Sequence, residues 1–195
     1  MHIPNGYTVK ARFPQHGWRA TLMVVIAVLI LVLLFPEFAK LTKNIHSDFD
    51  LAKSRAKFDS GTMQLILIMG PFFFAYIHTY IHEKIHQSCW RIFLGLWPEL
   101  HMNLPLPNVT LPVGIVATRN KAIIASLSPL ILLEILGVVI LWLVGSNDSL
   151  SLIIFFLSAN VGMAANDMIQ SLWLLRRPSN YYFGFDGQDS VLYGP

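Results

Sequence analysis

His82, Glu83 and His86 spell H-E-x-x-H within His82-Glu83-Lys84-Ile85-His86. On a helix, positions i and i+4 share a face, so both imidazoles can reach one divalent ion such as Zn²⁺. Glu83 follows the first imidazole directly, where its carboxylate can take a proton from a water activated by that metal. Hydrolytic zinc sites use three protein ligands and keep the fourth position for water. A third ligand must therefore come from elsewhere in the chain. Asp167 is the candidate, because it lies in an apolar stretch where an unpaired carboxylate is costly and metal coordination removes the cost.

The elements that must position these groups read as membrane spans. Of 195 residues, 54% are hydrophobic and only 13% are charged, about half the charged share of an ordinary soluble domain. High apolar content with a net charge of +3 excludes intrinsic disorder, and a single cysteine, Cys89, excludes a disulfide scaffold. The 14 Lys and Arg are scattered and form no basic face, so no nucleic acid is expected as a partner. A span needs roughly 20 mostly apolar residues. Four stretches qualify, at about 20–38, 63–81, 122–144 and 150–175. The first, preceded by Lys10, Arg12 and Arg19, reads as an uncleaved anchor because its apolar core is long.

The expected fold is therefore an all-α integral membrane protein of about four transmembrane helices, a single domain over 1–195. Pro98, Pro105, Pro107 and Pro112 break any helix between the second and third spans, and Asn108-Val-Thr-Leu there reads as a short extended, β-like piece. Nine of the 14 basic residues fall on the side holding both termini and the loop after span two. The positive-inside rule then makes that side, with the motif, cytoplasmic, in a multi-pass protein of the cell membrane. The lipid bilayer is one expected partner, and a membrane or membrane-proximal protein substrate is the other.

Depth agrees with the ligand set. His82 lies 19 residues past Met63, about 28 Å along a helix, and Asp167 lies 17 past Leu150, about 26 Å. Two further polar residues share these faces. His78 precedes His82 by one turn, and Asn160 precedes Asp167 by two. Each could contact substrate or support a ligand, or simply pack between helices.

H-E-x-x-H ending a span, a Pro-rich extended segment, Ser126-Leu-Ser-Pro129 opening the next span and Asn160-Val-Gly-Met-Ala-Ala-Asn-Asp167 in the last together resemble one family. This is the DUF3267 family of zincin peptidases, relatives of the site-2 intramembrane metalloproteases, over roughly Met63 to Arg177. In site-2 proteases the third zinc ligand is the Asp of Asn-x-x-Pro-x-x-x-x-Asp-Gly. The resemblance implies that role for Asp167, with Asn160 as the accompanying Asn. Here the spacing is seven, the Pro is absent and Met168 replaces the Gly. The expected function is a membrane-embedded zinc metalloendopeptidase of the H-E-x-x-H type. Two alternatives stand beside it: a non-catalytic membrane zinc sensor or carrier, and a structural or partner-binding membrane protein with a degenerate motif.

Overall fold

The computed structural model describes residues 2–13, 60–102, 108–144, 156–158, 160–187 and 189–195. In chain order these form β1 (Thr8–Phe13), α1 (Ser60–Leu94), β2 (Glu99–His101), β3 (Asn108–Thr110), β4 (Val116–Thr118), α2 (Arg119–Val144), α3 (Ala165–Leu175), β5 (Tyr182–Phe185) and β6 (Ser190–Gly194). A further helical stretch, 160–163, leads through a turn at Ala164 into α3.

This corrects the all-α, four-span expectation. The chain carries a four-stranded antiparallel sheet in the order β1-β6-β5-β4 and a two-stranded sheet of β2 and β3. Among the described residues one helix, Arg119–Leu143, is long and apolar enough to cross a membrane, with a mean hydropathy of 2.5. The expected span at 20–38 lies outside the described residues, as does the start of the one at 150–175. In the latter, residues 156–158 and 160–163 are helical and continue through Ala164, by the bonds Ala164 N–H to Asn160 O and Met168 N–H to Ala164 O, into the amphipathic α3. One face of α3, with Ala165, Gln170, Ser171 and Leu174, is buried, while Leu172 and Leu175 are exposed. Among the described residues, the segment between α1 and α2 contains β2, β3 and β4.

The C-terminal hairpin has an evident local cause. Tyr182–Phe185 and Ser190–Gly194 flank an Asp-Gly turn, and Gly187 adopts φ 99° there, a conformation that favours glycine. Asp189 donates its backbone N–H to Asp186 Oδ1 at 2.8 Å, closing the turn. Arg12 of β1 pairs with the Asp186 carboxylate and lies 3.7 Å from that of Asp189, tying the first strand to the last turn. In β5, Gly184 opposes Val116 of β4. A Cβ on Gly184 would sit 2.9 Å from Val116 Cγ1, so this pair of strands requires the missing side chain.

The sheet packs on the helices beside the H-E-x-x-H turn. Trp90 of α1 stacks on Phe183 of β5 with rings 5° from parallel and centroids 6.4 Å apart. Leu111, Ala117 of β4, Ala122 and Ala125 of α2, Leu174 of α3 and Leu192 of β6 complete this buried cluster. The two alanines of α2 are fully buried and small enough to bring its backbone close to α1.

Candidate metal centre and cleft

One face of α1 carries His82 and His86 inward, 3% and 8% exposed. Asp167 enters from the first turn of α3, where the helix dipole favours a carboxylate. Its Oδ2 lies 3.0 Å from His82 Nε2 and 3.2 Å from His86 Nε2. One donor atom from each of the three residues falls within 4.8 Å of the other two. Bonds of ~2.0–2.1 Å in a tetrahedral zinc site place neighbouring donors about 3.3 Å apart, so this two-imidazole, one-carboxylate set fits Zn²⁺ in chemistry and spacing.

The backbone of α2 orients the second imidazole. His86 Nδ1–H donates to the Ala125 carbonyl at 2.8 Å, which leaves the Nε2 lone pair for the centre. That carbonyl is available because of Pro129. In a helix, Ala125 O would accept the N–H of residue 129, and proline has none. Ser128 Oγ donates to the same oxygen at 2.8 Å. Burial disfavours a charged His86, yet the hydrogen bond and charge of Asp167, with Glu83 adding its own, hold that imidazole above the usual histidine range. His82 packs edge-to-face on His86 at 4.9 Å, and its buried Nδ1 has no hydrogen-bond partner among the described residues.

Glu83 points to the cleft side of the same turn. Its Oε2 accepts the backbone N–H of Val109, in β3, at 2.8 Å. Burial pushes its carboxyl above the usual carboxylate range, against the pull of the two imidazoles. A cavity of about 430 Å³ opens onto Glu83, His86 and Asp167. Phe13, Phe183 and Phe185 of the four-stranded sheet line its far side.

Glu83 and the three candidate ligands thus come together, whereas His78 and Asn160 pair with each other. His78 Nε2 lies 3.4 Å from Asn160 Oδ1. The Asn160 amide donates to the Leu130 carbonyl at 3.3 Å and to Glu134 Oε1 at 3.1 Å. Neither His78 nor Asn160 lines the cavity. Sequence reasoning missed the cavity's aromatic side and two polar residues in it, Ser126 and Gln170. The aromatic wall had a signal in the Tyr-Phe-Gly-Phe run before Asp-Gly, the mark of a hairpin strand.

Comparison with curated proteins and with solved structures returns no match. The family model DUF3267, described as "Putative zincin peptidase", matches residues 64–182. That stretch runs from α1 to the start of β5 and contains His82, Glu83, His86 and Asp167. With more than half of its 195 residues inside the match, the chain belongs to the zincin peptidase family DUF3267.

Proposed function

We propose that this zinc metallopeptidase of the zincin family is a membrane-embedded endopeptidase of the H-E-x-x-H type, cutting membrane or membrane-proximal proteins. His82, His86 and Asp167 hold Zn²⁺, and Glu83 is the general base. The observation that carries this reading is the convergence of Asp167 with both imidazoles of one α1 turn, while Glu83 of that turn faces an open cavity. Bound there, Zn²⁺ supplies Lewis acidity to the scissile carbonyl and lowers the pKa of water.

The chain's own residues do the rest. Glu83 takes a proton from the attacking water as its oxygen adds to the carbonyl carbon. Glu83 then returns that proton to the nitrogen of the breaking C–N bond, which leaves as an amine. The Val109 N–H fixes Glu83 Oε2, so the carboxylate keeps one orientation during this exchange. Ala125 keeps His86 in the tautomer that can act as a ligand.

Membrane embedding draws its support from α2. Its outer face presents Ile131, Leu132, Ile135, Val138 and Trp142 to the surroundings, whereas its one acid, Glu134, meets Asn160. Arg119 and Lys121 stand at the end of α2 nearest the metal centre, and Arg119 bonds the Arg177 carbonyl beside Arg176. A basic rim on that side favours the cytoplasmic face. The site is then a site-2 protease-like one at a membrane boundary, with both termini cytoplasmic.

Metal analysis and cleavage of labelled casein by purified protein test this reading. Glu83→Gln should keep zinc and lose turnover, whereas Asp167→Ala should lose zinc. Full turnover by Glu83→Gln would sink Glu83 as the general base, and zinc binding without any cleavage by the wild type would leave a zinc carrier or sensor.

A further inference from the structure

Two buried polar side chains in the cavity are not engaged by the protein. Gln170, on α3 one turn beyond Asp167, is 9% exposed, and Ser126, on α2 beside Ala125, is 6% exposed. Both line the cavity together with Glu83, His86 and Asp167. Among the described residues, neither side chain has a hydrogen-bond partner. Nearby polar groups differ: the buried His82 Nδ1 and Ser171 Oγ also lack a partner among the described residues, whereas two others are satisfied. Gln87 donates its amide to the Pro98 carbonyl at 2.8 Å, and Ser128 donates to Ala125 O. Unlike Ser171 Oγ and His82 Nδ1, the polar ends of Gln170 and Ser126 are not sealed off: both residues line the open cavity beside the candidate metal ligands, where a ligand can take up their free hydrogen-bonding capacity.

The chemistry of the pair says which ligand. No Lys or Arg lines the cavity, so nothing there is built for an anion. A carboxamide offers an N–H donor and a carbonyl acceptor side by side, the complement of the C=O and N–H of an extended peptide. We infer that Gln170 is a substrate-binding residue, gripping the peptide backbone next to the scissile bond, with the Ser126 hydroxyl as a second contact from the opposite helix. This rests on the peptidase reading above, and it adds a residue that meets the substrate backbone beside the scissile bond.

The test uses the full chain, zinc-loaded, with fluorescein-labelled casein as the probe. Gln170→Met keeps the length of the side chain and removes both hydrogen-bonding groups. It should raise KM about tenfold and leave kcat within about threefold, the signature of a lost binding contact. Zinc per chain should not change. In a Glu83→Gln background, fluorescence anisotropy should show casein affinity falling by the same factor on adding Gln170→Met. Ser126→Ala should give a smaller rise in KM with zinc retained. Unchanged KM and affinity in Gln170→Met would overturn the inference, as would loss of zinc, which would make Gln170 a support for Asp167. Failure of the Glu83→Gln parent to bind casein would overturn it as well. If wild type binds but does not cut casein, the peptidase reading fails while the anisotropy comparison still decides the role of Gln170.

Discussion

His86 is oriented by a carbonyl that belongs to Ala125, and that carbonyl is open to it because Pro129, four residues on, has no N–H to occupy it. Pro129 is fully buried inside an otherwise regular helix, a position that normally costs ~3 kcal/mol. The cost is offset in function if the freed carbonyl serves the metal centre. Pro129→Ala should therefore stabilise α2 and weaken the site. The restored N–H competes with His86 for Ala125 O, and zinc affinity should fall about tenfold, within the range for lost outer-shell partners. A competitive chelator titration reads the affinity, and a melting curve reads the fold. Unchanged zinc affinity would separate Pro129 from the centre.

Val109 stands to Glu83 as Ala125 stands to His86. Its N–H points to the Glu83 carboxylate, away from the β2 partner. Val109→Pro deletes that donor and is tolerable where the strand's N–H faces outward. Losing a hydrogen bond to a charged group is worth ~1.5–3 kcal/mol, so kcat should fall by one to two orders of magnitude with zinc retained. Val109→Ala, which keeps the donor, should lose much less. Steady-state cleavage with parallel metal analysis distinguishes the two.

The chemistry was more legible than the architecture. His82, Glu83 and His86 follow a helical period, and Asp167 is an acid where composition leaves few, so type and spacing exposed both. The strands were harder to see. Tyr182–Phe185 and Ser190–Gly194 are short, and their partners β1 and β4 lie up to some 180 residues away in sequence, so no local pattern announces the sheet. Hydropathy counted α3 as the end of a span, although its polar residues Asn166, Asp167 and Gln170 line a cavity. Gln170 itself carries no sequence signal, because glutamine on a helix is usually just a good helix former. Its lack of a partner is visible only in three dimensions.

Metal removal should affect stability as well as rate. The donor set joins α1 to α3, and a ligand bound only by the native state stabilises it by about 4 kcal/mol when present at a thousand times its Kd. Chelation should abolish cleavage and lower the melting temperature, and added Zn²⁺ should restore both. Asp167→Ala should melt near the chelated wild type and respond little to zinc. A melting temperature indifferent to chelation would mean the three residues do not close on an ion.

Asn160 should matter to the fold more directly than to the reaction. Its amide joins three elements, meeting His78 of α1 through Oδ1 and both Glu134 and the Leu130 carbonyl of α2 through Nδ2. Asn160→Leu keeps the volume but deprives Glu134 and Leu130 of this donor in a largely apolar setting. The cost of buried groups left unmatched is about 1–3 kcal/mol. Glu134→Leu alone strands the amide from the other side. Because replacing both partners with apolar groups can be nearly neutral, the double variant should recover part of the loss. Thermal unfolding of the two single variants and the double closes the cycle. A coupling energy near zero would show that the Glu134–Asn160 contact contributes nothing to holding the 160–175 segment, and hence Asp167, against α2.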